Sequence, residues 1–203
     1  MLTRIAVLVS GGGTNLQALI DAKKSGIIKS GEISLVISSS PSAYALTRAA
    51  DNNIPSAVVS KKDLGSQRAF EQKINELLVE YKIDFIILAG FMCILSEDFT
   101  KAYPKRIINV HPSLIPSFCG KGYYGLKVHQ AAIEYGVKVT GATVHFVNEI
   151  PDGGRIILQK AVDIKEDDTP ESLQKRVMEQ AEWKILPQAA EMISKEIAER
   201  KNN

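Results

Sequence analysis

The sequence predicts an α/β protein on a doubly wound, mostly parallel sheet, finished by an antiparallel C-terminal hairpin and flanked by helices. Three observations carry this. Short apolar runs recur, as in Ile5-Ala6-Val7-Leu8-Val9, and read as strands buried on both faces. Segments with apolar residues at helical spacing separate them, joined by short connections, which is the β-α repeat of a parallel sheet. After the fifth run the pattern changes to a long alternating stretch, a tight turn and a returning strand, the mark of a hairpin.

The chain of 203 residues is sized for one domain, read here as a single unit 1–203 with halves 1–100 and 101–203. Its 45% hydrophobic and 24% charged residues are those of a soluble globule. A net charge of +2, with no basic run beyond pairs such as Lys61-Lys62, gives no support to nucleic-acid binding. Cys93 and Cys119 have no metal-ligand spacing and the three histidines are scattered, so no metal site is expected. No signal segment precedes the first strand, and no stretch approaches the roughly 20 apolar residues of a membrane span. The expectation is a cytoplasmic protein without membrane or nucleic-acid partners, monomeric or homodimeric.

In order, the first strand leads into Ser10-Gly11-Gly12-Gly13-Thr14-Asn15, and Leu16, Leu19 and Ile20 then start a helix. Glycines let a backbone approach a ligand, and the free N–H groups of a first helical turn favour an anion. A dinucleotide fingerprint would need glycine where Leu16 stands, and an ATP-type loop would need Gly-Lys-Ser/Thr. What remains is a site for one phosphate, or a turn that only packs helix on sheet.

Residues 33–37 form the second strand, 43–52 a short helix, 57–59 a third strand and 67–81 a helix. Residues 83–88 form the fourth strand. Phe91, Met92, Ile94 and Leu95 after it suit either core or an apolar slot for a flat heteroaromatic ring. Ser96 caps a short helix over 97–103.

The fifth strand, 106–110, delivers Asn109-Val110-His111-Pro112. Side chains alternate along a strand, so Asn109 and His111 share a face at the C-terminal edge where open α/β sheets hold ligands. Alone, this pair reads equally as a strand end. An amide can donate to an oxyanion, and an imidazole can act as base, acid or donor.

A long loop spans 117–125, a helix 126–135, and a bent strand 137–147. The turn 148–154 contains Asp152 before Gly153-Gly154, ordinary turn chemistry that also allows Asp152 to face His111 and support its charge. Thr169-Pro170-Glu171 starts a helix. Pro187 is expected to kink or end it, and a tail is expected to fray from Lys201.

Taken together, Ser10-Gly11-Gly12-Gly13-Thr14-Asn15-Leu16-Gln17-Ala18, Leu88-Ala89-Gly90-Phe91-Met92, Asn109-Val110-His111-Pro112-Ser113-Leu114, Val144-His145-Phe146-Val147 and Asp152-Gly153-Gly154 resemble the folate-dependent phosphoribosylglycinamide formyltransferase family, in the family's order. The resemblance implies a Rossmann-like formyltransferase fold and transfer of a formyl group from 10-formyltetrahydrofolate, as co-substrate, to glycinamide ribonucleotide in purine biosynthesis. It implies Asn109, His111 and Asp152 as catalytic residues and Gly13, Thr14 and Asn15 as the phosphate site. It implies Glu182 as the ribose acid, and Met92, Cys93, Ile94, Leu95, Asn109 and Arg68 at the folate. By that reading the first half binds phosphate, and the second half carries catalysis and folate. Cys93 stands where the family often has arginine, and so does Gln67, with Arg68 beside it as a substitute. A formyltetrahydrofolate hydrolase or a non-catalytic folate- or phosphoribosyl-binding module would share parts of this pattern. The hydrolase relatives carry an N-terminal regulatory domain, and the related methionyl-tRNA formyltransferases a C-terminal one; neither is expected here.

Overall fold

The computed structural model describes residues 1–202. Among them, seven strands form one sheet in the order β3-β2-β1-β4-β5-β6-β7. They are β1 Thr3–Val9, β2 Gly31–Ser38, β3 Ser56–Val58, β4 Phe85–Leu88, β5 Ile107–His111, β6 Val139–Phe146 and β7 Ile156–Asp163. The first five pair in parallel, while β5–β6 and β6–β7 are antiparallel. The chain therefore winds outward from β1 in one direction, returns through β4 in the other, and ends in the expected hairpin.

Helices cover both faces. They are α1 Thr14–Lys24, α2 Tyr44–Asp51, α3 Lys61–Leu64, α4 Gln67–Glu80, α5 Glu97–Ala102, α6 Leu126–Tyr135, α7 Pro170–Val177 and α8 Trp183–Asn202. Strand alternation explains the two cores. Ile5, Val7 and Val9 pack with Leu16, Leu19, Ala45 and Leu186, whereas Ala6 and Leu8 pack with Phe70, Ile74 and Phe99. This is why β1 reads as an unbroken apolar run.

Local chemistry sets several boundaries. The Ser96 hydroxyl accepts from the Phe99 N–H at 3.2 Å and starts α5. Thr169 and Ser172 form a reciprocal capping box ahead of Pro170. β6 alternates imperfectly because Thr140 to His145 are all buried, and a register shift between Val144 and His145 bends it.

Two expectations are corrected. Pro187 neither ends nor divides its helix; it lies inside α8. The irregularity is a π turn, Met178–Glu182, just upstream, where the Trp183 N–H donates to the Met178 carbonyl five residues back. The short α3 was not expected; Ser60 caps it. At the expected tail, α8 runs past Lys201 to Asn202, while Asn203 lies outside the described residues.

Candidate active site

β1, β4 and β5 are neighbours and parallel, so the segments that follow them gather at one edge. Here the strand order reverses, and a crevice opens outside the strand ends. The glycine loop follows β1, residues 89–95 follow β4, and β5 itself carries Asn109 and His111.

His111 is 4% exposed. Its Nε2 lies 2.8 Å from the Phe118 carbonyl. A carbonyl only accepts, so Nε2 carries the proton. Nδ1 lies 3.4 Å from Asp152 Oδ2. Asp152 sits in the β6–β7 turn with φ +57°, a left-handed conformation that aspartate tolerates better than most residues. The turn thus aims the carboxylate back across the sheet edge, where Oδ2 also accepts from the Gly120 N–H at 2.8 Å.

The network has a fourth member that the sequence did not reveal as functional. His145 lies opposite Asn109 in the β5–β6 register and is 2% exposed. Its Nδ1 lies 2.8 Å from the Phe146 carbonyl, so Nδ1 donates there and Nε2 faces the Asn109 amide. Asn109 Nδ2 donates to that Nε2 at 3.2 Å. Its other amide proton meets only Asp152 Oδ1 at 3.5 Å, a weak contact that a stronger acceptor displaces. The available signal was its place in the family-like run Val144-His145-Phe146-Val147; its pairing with Asn109 joins β5 and β6 across a loop and α6.

Charge in this cluster differs from the expectation. Asp152 does pull the His111 pKa upward, as does the Phe118 carbonyl, but burial pushes harder and leaves it below its ordinary value. For Asp152 burial acts upward, yet the His145 and His111 rings and the Gly120 N–H outweigh it and hold the carboxyl below the usual range. An ionised Asp152 therefore faces a histidine reluctant to charge. The 3.4 Å separation suits a ring whose Nδ1 lacks its proton.

At the glycine loop, Gly13 has φ +70°, and a Cβ there would lie 2.7 Å from Ala45 Cβ, so only glycine fits. Thr14 opens α1, its hydroxyl 3.7 Å from Met178 Sδ. Asn15 Nδ2 donates to Glu182 Oε2 at 2.6 Å, joining two residues 167 positions apart. Glu182 ends the π turn and is 6% exposed. Burial lifts its carboxyl to about 7, with the Asn15 amide pulling the other way. Asn15 Oδ1 is buried and has no partner.

A cleft beside the network is lined by Phe91, Cys93, Ile94 and Leu95 from the segment after β4, by Val147 and Ile150 from the segment after β6, and by Asn109, His145 and Asp152. Met92 lies outside it, in a groove shared with Lys61 and Gln67. Arg68 is not brought to the cleft; it lines a separate groove between α4 and α5. Gln67, at the arginine position, spends its amide on Glu71 Oε1 at 2.5 Å and the Ile94 carbonyl at 3.0 Å.

The arrangement places an amide donor, a buried imidazole and a carboxylate beside an apolar cleft, with a helix N-terminus on the same edge. It suits attack on a carbonyl with an oxyanion to stabilise. Residues 3–190 match the formyl transferase family, and the chain belongs to it. It is 44% identical over 186 residues to a phosphoribosylglycinamide formyltransferase of Haemophilus influenzae, covering 92% of this chain and 84% of that protein. It is also 44% identical over 191 residues to the human trifunctional purine biosynthetic protein adenosine-3, of whose length it spans 18%. The same share, 18%, holds for the relatives from Gallus gallus and Bos taurus. The crystal structure of glycinamide ribonucleotide transformylase 1 from Symbiobacterium toebii superposes with a TM-score of 0.89 at 40% identity, covering 96% of this chain and 89% of that one. No helix among the described residues is long and apolar enough to cross a membrane.

Proposed function

We propose that this protein is a phosphoribosylglycinamide formyltransferase, transferring the formyl group of 10-formyltetrahydrofolate to the amine of glycinamide ribonucleotide in purine biosynthesis. The carrying observation is the meeting of Asn109, His111 and Asp152 beside an apolar cleft that Asn109 and Asp152 line. Both substrates are small molecules; the setting is cytoplasmic, with the chain acting as monomer or homodimer.

The cleft takes the flat folate ring, with backbone groups of residues 92–95 beside it. Gly13, Thr14 and Asn15 take the phosphate, and Glu182 takes the ribose hydroxyls. The single domain is shared between the two jobs, and the Asn15–Glu182 bond ties its first half to its second.

The substrate amine attacks the formyl carbon, a C–N bond forms, and the carbonyl oxygen takes the negative charge. Collapse breaks the bond to N10 of the folate, while the amine loses a proton and N10 gains one. Asn109 gives the oxyanion the amide proton now weakly held by Asp152. His111 donates as well once Phe118, in the left-handed region at φ +48°, releases Nε2. Asp152 remains behind the ring, and the arriving negative charge offsets the burial that opposes an imidazolium.

The deciding experiment follows tetrahydrofolate release from 10-formyltetrahydrofolate with and without glycinamide ribonucleotide. Ribonucleotide-dependent release supports the proposal. Release without it is hydrolase behaviour and overturns it, as does no release in either mixture.

Glu182 adds a pH signature. Its ionised form accepts the ribose hydroxyls, and burial holds the proton on up to about 7. Ribonucleotide affinity is therefore expected to weaken about tenfold per pH unit below 7. Titration calorimetry between pH 5.5 and 8 checks this: Glu182→Gln should bind more weakly at pH 8 and lose that share of the slope. An unchanged slope in the variant overturns the assignment.

A further inference from the structure

The glycine loop is anchored from behind. The Gly11 carbonyl accepts from the Ala45 N–H of α2 at 3.1 Å. The Gly12 carbonyl accepts from Arg48 Nε at 2.8 Å. Among the described residues the peptide Ile115–Pro116 alone is cis, so these glycine peptides are trans. In a trans peptide the carbonyl and the following N–H point in opposite directions. Fixing the Gly11 carbonyl toward α2 turns the Gly12 N–H away from it. Fixing the Gly12 carbonyl does the same for the Gly13 N–H.

The free side is open. A Cβ built on Gly11 or Gly12 meets nothing within 4 Å, so a ligand can come against the loop there. Beside it, Asn15 is 8% exposed and its Oδ1 has no partner, an acceptor left for a donor such as a sugar hydroxyl.

Arg48 is itself held. Its guanidinium carbon lies 5.0 Å from the centre of the Tyr44 ring, and its NH1 donates to Gln17 Oε1 at 3.1 Å. The side chain thus bridges α2, the loop and α1, and brings a fixed positive charge to a loop that otherwise carries none.

We infer that Arg48 is a positioning residue for the phosphate end of the substrate: acting with the Ala45 N–H, it pins the carbonyls of the glycine loop to α2 so that the Gly12 and Gly13 N–H groups face the anion. This rests on the phosphate assignment made under Proposed function. Without Arg48 the open, side-chain-free loop loses one of its two anchors, and ordering it falls to the ligand.

The test compares two acceptors in the full chain, glycinamide ribonucleotide and the corresponding riboside without phosphate. Arg48→Met is expected to raise KM for the ribonucleotide about tenfold, the worth of one hydrogen bond from a charged donor. Its kcat and its KM for formyl folate are expected to hold, and kcat/KM for the riboside to stay at the wild-type value. A merely structural role would weaken both acceptors alike, and that result overturns the inference, as does an unchanged ribonucleotide KM. If Arg48→Met does not fold, Arg48→Gln carries the same comparison. Inorganic phosphate, titrated calorimetrically without folate, separates this inference from the reaction itself. Weaker phosphate binding in the variant supports it even if formyl transfer is absent. A wild-type protein with no affinity for phosphate overturns it.

Discussion

Asp152→Asn is expected to lower kcat about 10³-fold while ribonucleotide affinity and the fold are kept. That loss corresponds to about 4 kcal/mol of transition-state stabilisation. The reason lies in the contacts of the carboxylate. It faces His111 Nδ1 at 3.4 Å, Asn109 Nδ2 at 3.5 Å and His145 Nε2 at 3.6 Å, so one negative charge stands among three polar side chains, of which the Asn109 amide donates to it. An amide of the same shape removes that charge and with it the support for a charged His111. Structure should survive, because asparagine also tolerates the left-handed turn and its oxygen can still accept from the Gly120 N–H. Steady-state kinetics with calorimetric ribonucleotide binding checks both halves; near-normal turnover would remove Asp152 from the catalytic group.

The second large effect concerns stability. His129 on α6 is 0% exposed, and neither ring nitrogen has a partner. Burial, with a smaller contribution from His111, pushes its pKa down from 6.5 to about 4. Between those values the unfolded chain binds a proton that the native protein refuses, so stability falls as pH drops from 6.5 to about 4 and the loss then levels off. At about 1.4 kcal/mol per pH unit the loss totals about 3 kcal/mol. His129→Phe should abolish that share of the acid sensitivity and be at least neutral at pH 7, since it removes two unpaired buried polar atoms. Urea unfolding of both proteins from pH 7 to pH 4.5 measures it. Parallel stability curves would show that His129 takes no part.

The strand and helix pattern was legible because each segment's periodicity reflects which faces it buries. Runs apolar throughout are strands covered by helices on both sides, and β1 divides its residues between two cores accordingly. Caps were legible for a local reason: Ser96 and Thr169 satisfy N–H groups only three residues away. The π turn at Met178–Glu182 was not, since no residue in it marks a widened turn, while Pro187 gave a strong but misplaced breaker signal. Asn109 and His111 were legible as a same-face pair. Their partnership with His145 was not, because it depends on the register between β5 and β6, which are separated in the chain by a loop and α6. Nor could any sequence signal point to the Phe118 carbonyl or the Gly120 N–H, which are backbone groups of a loop.

By itself the sequence determined which chemical groups this protein brings to one edge. Parallel strands alternate their side chains and all end on the same side, so a glycine loop after β1 and an amide–imidazole pair in β5 must share that edge. The tertiary structure alone decided how those groups are charged and which way they face. Burial outweighs Asp152 at His111, it lifts Glu182 to about 7, and it leaves Asn15 Oδ1 unpartnered. Desolvation and hydrogen-bond direction depend on what surrounds a group in space, and the surroundings come from segments as far apart as Asn15 and Glu182.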